Sequence, residues 1–190
     1  MRATFVGALF TVAVILAGCA NPANRVTMDD YTDQCGTSEN SGHFDVALEA
    51  CRRAWINSRI GNLGTELESR ALYNYGRVAR KAMKLDDAEE ALKRSLELQA
   101  SIDGATSEKV GRRLAELALT KIFQRKSEDG IAYVERLIAM ASAYSGAERK
   151  AVCGVLFGYI EDLPLPKFGA KRSEFETAAK AMACSRAEFK

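Results

Sequence analysis

Cysteine is the residue type in this sequence with the most chemistry to offer. Cys19 closes the first apolar stretch, and Cys35, Cys51, Cys153 and Cys184 follow in the polar remainder. An even number of cysteines beyond Cys19 suits disulfide bonds in an exported chain, and three pairings of the four are possible. A zinc site and a redox centre are the alternatives, but neither a zinc-type spacing nor a Cys-x-x-Cys pair occurs. We therefore expect structural disulfides and no metal site.

A single histidine limits the catalytic chemistry open to the chain. With His43 as the one histidine, the sequence excludes a His-rich metal centre and weakens the case for a Ser/His or Cys/His nucleophile. We expect His43 in an exposed turn before Phe44. The paired acids Asp29-Asp30 and Asp86-Asp87 are better explained as helix starts than as acid/base dyads. No glycine-rich phosphate loop occurs. The sequence predicts a protein that is not an enzyme and needs no cofactor.

The N-terminal segment has the layout of a secretory signal. After Arg2, residues 3–17 form an almost wholly apolar run of about 15 residues, where a transmembrane helix needs about 20. The run ends in Leu16-Ala17-Gly18-Cys19, which resembles the bacterial lipobox and implies cleavage before Cys19 and its diacylation. The next residue is Ala20 and not Asp, which in that family implies the outer membrane. We expect a lipid-anchored protein facing the periplasm; the alternative is an ordinary signal peptide with a chance cysteine.

The composition of the rest indicates one helical domain. The whole chain has 27 Lys and Arg against 25 Asp and Glu, a balance from which no affinity for nucleic acid or for an anionic membrane follows. There are three prolines, strong helix formers dominate, and no alternating β-branched run appears after the signal, so we predict an all-α fold. We divide the chain into a signal peptide (1–18), a lipidated cysteine with a polar tether (19–28) and a helical repeat domain (29–190).

An internal repeat organises that domain. Shifting the sequence by about 42 residues aligns 87–92 with 129–134, and Leu72 and Gly76 with Leu114 and Ala118, a period typical of stacked helix pairs. The pattern resembles the tetratricopeptide repeat in its kinesin-light-chain variety, although Tyr75 and Ala79 depart from it and the terminal proline is missing. The resemblance implies an α-α superhelix of about four helix pairs, least regular at both ends.

The repeat register also implies one cysteine pairing. It places Cys35 opposite Cys51 across the first helix pair, and Cys153 opposite Cys184 across the last. Each bridge would staple a terminal pair, which lacks a neighbour on one side, and would contribute about 3–4 kcal/mol on the loop-entropy account.

In tetratricopeptide arrays the first helices of the pairs line a concave groove that binds partners. Three arginines, Arg70, Arg77 and Arg80, lie along one stripe of the groove and repel each other. We therefore predict an acidic or carboxylate-bearing partner; the alternative is a solvated charged face whose repulsion is relieved by nearby acids. Arg70 with Asn74 resembles half of the family's clamp for peptide C-termini, although Glu116 departs from that clamp. The residues expected in the groove are Arg70, Tyr73, Asn74, Arg77, Arg80, Arg112, Leu119 and Ile122.

These features predict an interaction scaffold or assembly factor, by analogy of fold and without a named partner. One alternative is an accessory lipoprotein that binds a glycan or a peptidoglycan-derived ligand. That role needs aromatic platforms in the groove, for which Tyr73 is the candidate. Another is a structural homo-oligomer that exposes Leu165, Phe168 and Phe175 for self-association.

Overall fold

Eight α-helices make up most of the protein in a computed structural model, which describes residues 20–189. Those residues contain no β-strand, so the all-α prediction is confirmed. Cys19 and the predicted signal lie outside the described residues. The helices are α1 (Pro22–Asn40), α2 (Phe44–Ile60), α3 (Thr65–Lys81), α4 (Leu85–Asp103), α5 (Glu108–Phe123), α6 (Ser127–Ala139), α7 (Gly146–Asp162) and α8 (Gly169–Ala181).

The helices pack as four antiparallel pairs in chain order, as the repeat predicted: α1 with α2, α3 with α4, α5 with α6, and α7 with α8. Each pair packs on the next, through α2 on α3 and α4 on α5, while α7 packs mainly on α5. The first helices of neighbouring pairs also meet, α3 with α5 and α5 with α7, whereas within the described chain the second helices do not pack together to this extent. The first helices therefore line the inner face of an α-α superhelix.

Small residues set the distance between the helices of a pair. A Cβ on Gly76 would lie 2.6 Å from the Cγ atom of the buried Leu92, so α3 can approach α4 only with glycine here. Gly64, the residue directly before α3, has a φ of 96°, a conformation that other residues rarely adopt. The close approach that the repeat pattern requires is therefore present in the second pair.

Two apolar clusters form the core. A small one surrounds Cys35 and Cys51, and a larger one runs from α4 to α8. Phe175 is fully buried in the larger cluster, with its ring edge-on to Tyr159 at 6.2 Å, so its predicted exposure is wrong. Burial of Phe175 follows because α8 has one neighbour in its pair and must place its largest side chain there. Phe168 is partly buried, and Leu165 remains 62% exposed.

The predicted cysteine pairing is confirmed in the structure. Cys35 is bonded to Cys51 with a Cα–Cα distance of 5.2 Å, and Cys153 to Cys184 with 5.5 Å. One bridge lies in the first helix pair, and the other joins α7 to the segment just after α8. The covalent links therefore fall in the two terminal pairs.

The first helix begins at Pro22, seven residues before the predicted start of the repeat domain at residue 29. The side chain of Asn21 accepts a hydrogen bond from the Ala23 amide at 3.0 Å, and proline occupies the first helical turn, where its missing N–H costs nothing. Met28, in the second turn of α1, is 1% exposed, so the stretch predicted as a tether (19–28) overlaps a packed part of this helix. No helix within residues 20–189 is long and apolar enough to cross a membrane.

Candidate partner-binding groove

A groove of about 290 Å³ runs across the first helices α3, α5 and α7 on the inner face. Half-buried Tyr73 stands at one wall, half-buried Leu119 contributes to the floor, and α7 closes the far side with small side chains. The groove is lined by Tyr73, Arg112, Ala115, Glu116, Leu119, Ala151, Gly154 and Val155.

Three of the residues predicted for the groove line it: Tyr73, Arg112 and Leu119. Ile122 instead packs against α7, since a Cβ on Gly158 would lie 3.0 Å from the Ile122 Cδ1 atom. The two apolar residues predicted for the groove therefore have different roles. Leu119 is open to the groove, whereas Ile122 packs between α5 and α7.

Tyr73 offers less free aromatic surface than expected. The guanidinium of Arg113 lies 5.0 Å from its ring centroid and that of Arg77 lies 5.8 Å away. Burial raises the pKa of the Tyr73 phenol, and the charge of Glu116 acts in the same direction. Its ring already makes cation–π contacts within the protein, which reduces its value as a stacking platform.

Arg77 and Arg80 are held by carboxylates from the neighbouring first helices. Arg77 Nη1 donates to Glu39 Oε1 at 2.6 Å, and Lys81 Nζ donates to the same oxygen at 2.7 Å. Arg80 Nε donates to Glu116 Oε2 at 2.8 Å, and the Arg80 side chain is only 12% exposed. Both arginines are therefore engaged within the protein, and the Arg77 side chain is only 28% exposed. Glu39 and Glu116 offset the repulsion along the stripe, so the stripe alone no longer requires an acidic partner.

Arg112 and Arg70 differ in their partners. Arg112 Nη2 lies 2.5 Å from Glu108 Oε1 and 2.6 Å from Glu148 Oε1, and hydrogen bonding to Glu108 raises the pKa of Arg112. Arg70 is exposed on α3, one turn before half-buried Asn74, and makes no ion pair within residues 20–189. Among the arginines predicted for the groove, Arg70 is the one whose charge is left for a ligand.

A buried arginine beside the groove was missed by the sequence analysis. Arg113 is 4% exposed; its Nε donates to Ser95 Oγ at 2.7 Å, its Nη2 to Ser69 Oγ at 3.0 Å, and its Nη1 to the Lys109 carbonyl at 2.8 Å. Burial lowers the pKa of Arg113 to about 10. This network joins α3, α4 and α5 behind Tyr73. An arginine on an amphipathic helix gives no signal in the sequence that its head group is buried.

The α7 wall was also missed, although the repeat register contained a signal for it. Gly154 and Ala151 line the groove, and the 42-residue step that carries Leu72 to Leu114 carries Arg112 to Gly154. Small residues at these positions leave the space that larger ones would fill.

A second cavity of about 140 Å³ lies between the first two helix pairs, away from the groove. Trp55 and Tyr75 stack there with ring centroids 5.9 Å apart, and the buried Trp55 indole N–H has no hydrogen-bond partner among the described residues. Asp87 and Glu90 also line this cavity. Within residues 20–189 no group of three His, Cys, Asp or Glu residues could hold a metal ion.

No family model matches the chain, and no curated protein matches its sequence. The architecture of stacked helix pairs is therefore established by the structure, and the chemistry of the groove follows from the geometry of its lining residues.

Proposed function

We propose that the protein is a tetratricopeptide-like lipoprotein, anchored in the outer membrane and facing the periplasm, that binds a segment of another protein in the groove. The observation that supports this proposal is the groove itself, which three successive first helices build around half-buried Leu119. An inner face of this kind binds an extended or helical segment through shape and a few anchoring side chains.

The charges around the groove define the partner's chemistry. Arg77, Arg80 and Arg112 are satisfied by internal carboxylates, so they offer an incoming acid little new attraction. The partner segment places an apolar side chain against Leu119, and an acidic side chain or its free C-terminus against Arg70. Apolar burial supplies most of the affinity, and the Arg70 contact orients the segment.

The groove is tested by photo-crosslinking in cells. A photoreactive amino acid replaces Leu119 in the groove or, as control, exposed Ala132 on α6. We expect a protein adduct from position 119 that is absent from position 132. Ala151→Trp, which fills the groove from an exposed position, should remove the adduct, whereas Ala132→Trp should not. Equal adducts from both positions, or an adduct that survives Ala151→Trp, would contradict the proposal.

The anchor is tested separately. Cys19→Ser should leave the protein unprocessed or soluble in the periplasm, because acyl chains supply membrane affinity of about 0.8 kcal/mol per buried methylene. A mature-size Ser variant that still fractionates with membranes would refute lipidation at Cys19.

Binding of a glycan or peptidoglycan-derived ligand is a second candidate function, and the Trp55–Tyr75 cavity is the observation that favours it. The chain has one tryptophan, so Trp55 fluorescence reports directly on this cavity. Saturable fluorescence change on titration with muropeptides, abolished by Tyr75→Ala, would support this role. An unchanged spectrum at millimolar muropeptide would reject it.

A further inference from the structure

We infer that the domain sits directly on the lipid surface, with one particular end of its first helix pair against the headgroups. This anchor-proximal end comprises residues 21–26, where α1 begins, and residues 59–63, where α2 ends. The inference rests on the proposed lipidation of Cys19, but the test below does not depend on natural acylation.

The chain is fixed in place two residues after Cys19. The Asn21 amide donates to the Gly61 carbonyl at 2.8 Å, which ties the chain entering α1 to the end of α2. Asn24 Nδ2 donates to Asn57 Oδ1 at 3.0 Å one turn further on. A Cβ on Gly61 would lie 2.4 Å from the Asn24 Cβ, so the two helices are in close contact at this end. These contacts leave no slack at the start of the domain.

The remaining link is very short. One residue, Ala20, separates Cys19 from Asn21, and a fully extended chain spans at most about 3.6 Å per residue, so the two steps from Cys19 to Asn21 cover about 7 Å. Acyl chains on Cys19 lie below the headgroups, so the anchor-proximal end is held within headgroup distance. A flexible tether would have allowed every orientation; this link allows few.

The side chains at this end suit a lipid interface. Val26 is 63% exposed and Ile60 is 64% exposed, and each lies next to an exposed arginine, Arg25 or Arg59. Apolar side chains at headgroup depth with flanking cationic side chains are the composition of an interfacial surface, and long basic side chains reach phosphate groups while burying their stems. The surface therefore fits phospholipid headgroups and the first methylenes of the acyl chains.

The helix directions determine what faces away from the membrane. Because the paired helices are antiparallel, the turn between α3 and α4 lies at the end of the domain opposite the link from α2 to α3. Met83, in that turn, is 58% exposed. Ile60 and Met83 are thus exposed apolar residues of similar accessibility at opposite ends, which makes them a matched pair of reporters.

The experiment measures the depth of these two positions on vesicles. In the mature chain with both disulfides formed, Cys19 is the free thiol, so a maleimide phospholipid attaches the protein to phosphatidylethanolamine/phosphatidylglycerol vesicles without any acylating enzyme. In a Trp55→Phe background, Ile60→Trp and Met83→Trp are compared on vesicles with brominated acyl chains. We expect several-fold stronger quenching for Ile60→Trp. Equal quenching would overturn the proposal, whether or not Cys19 is acylated in cells.

Two controls complete the design. A Gly/Ser spacer of about 20 residues inserted after Ala20, with a mean span of about 25 Å, should abolish the difference between the reporters. A difference unchanged by the spacer would contradict the role of the short link. Hydrogen exchange of the unsubstituted protein avoids any folding defect of Trp55→Phe: vesicles should protect amides 59–63 and leave 82–84 unchanged, and the reverse would refute the seating.

Discussion

At the scale of single residues, Gly130 shows how one absent methyl group positions a helix. The Tyr159 hydroxyl donates to the Ala118 carbonyl at 3.0 Å in a fully buried position, and burial raises the pKa of Tyr159. A Cβ on Gly130 would overlap that hydroxyl and lie 2.9 Å from the Lys121 Cβ. The contacts of α7 with α5 and α6 therefore depend on glycine at this position of α6.

Gly130→Ala should destabilise the protein by about 2–4 kcal/mol, the sum of overpacking and a lost buried hydrogen bond. Gly36→Ala is the matched control, because a Cβ there meets nothing within 4 Å and alanine favours the helix by about 0.5–1 kcal/mol. Urea unfolding followed by circular dichroism measures both changes. A neutral Gly130→Ala would contradict the Tyr159 packing.

Glu89 is a second residue whose contribution to stability can be tested, through its dependence on pH. Burial alone would raise its pKa, but hydrogen bonds from Lys121, Lys93 and Gln124 outweigh that effect and lower the pKa of Glu89 to about 2. The side chain is 17% exposed and links α4 to α5 through Lys121, at 2.8 Å. A carboxylate with a depressed pKa stabilises the fold above its unfolded pKa, and this contribution is lost as the pH falls from about 4.5 to about 2.

Glu89→Gln should reduce stability at pH 7 by about 1–2 kcal/mol, the scale of hydrogen bonds to a charged group. The difference from the unsubstituted protein should shrink toward zero as the pH falls to about 2. Glu49→Gln is the control: the hydrogen bond from Arg52 likewise lowers the pKa of Glu49 to about 2, but its side chain is 44% exposed, so the expected change is within about 0.5 kcal/mol. Urea unfolding at several pH values measures both, and equal effects would contradict this account.

At the scale of helix pairs, the covalent links distinguish the ends from the middle. The first and last pairs each contain one disulfide, across sequence separations of 16 and 31 residues, while the second and third pairs are held by packing and polar contacts. In stacked repeats each unit contacts its immediate neighbours only, so terminal units open most easily. The bridges reinforce the units that have the fewest neighbours.

Reduction should therefore loosen the terminal pairs before the middle ones. On the loop-entropy account, each broken bridge should lower the free energy of unfolding by about 3–4 kcal/mol. Hydrogen exchange with and without reductant should show faster exchange in α1, α2, α7 and α8 and little change in α4 and α5. Peptide mapping of the native protein without reductant should recover Cys35–Cys51 and Cys153–Cys184. Four alkylatable thiols in native protein would contradict both expectations.

At the scale of the whole molecule, the exposed apolar side chains are scattered. Val26 and Ile60 belong to the anchor-proximal end, and Phe175 is buried in the core. The other exposed large apolar residues lie on separate helices and turns: Val46, Met83, Ile102, Phe123 and Leu165. Isolated apolar residues are ordinary on a soluble surface, and self-association needs a contiguous patch. Of the three residues predicted for self-association, Leu165 is exposed, Phe168 is partly buried and Phe175 is buried.

The mature domain with Cys19→Ser should accordingly be monomeric. Light scattering coupled to size-exclusion chromatography should give the mass of one chain at micromolar concentration. A stable dimer would restore the homo-oligomer hypothesis, and Leu165→Lys would then show whether that loop forms the interface.

The sequence predicted more of the architecture than of the candidate site. A period of about 42 residues fixes which helix faces meet, so the pairs and both disulfides could be predicted from Cys35, Cys51, Cys153 and Cys184. The same register says nothing of which long side chains reach across helices. From the sequence, Arg77 and Arg80 are therefore predicted to be part of a free basic stripe, although in the structure Glu39 and Glu116 neutralise them.

The start of α1 at Pro22 is not evident from the sequence, for a different reason. The turn at residues 22–26 is polar, so no apolar period marks it as helix, and its order comes from tertiary contacts such as that of Asn24 with Asn57. Contacts between residues 33 positions apart are not visible in local composition.

The hydrogen bond from Asn21 to Gly61 also bears on the order of events during biogenesis. Any enzyme that cleaves beside Cys19 must receive the flanking residues as an accessible, extended chain. Once the first helix pair has formed, those residues are docked against the end of α2, and the Cys35–Cys51 bond holds that pair together. With cleavage at Cys19 as proposed above, maturation of the N-terminus must therefore precede folding of the first helix pair, and premature oxidation of these cysteines would trap the precursor uncleaved.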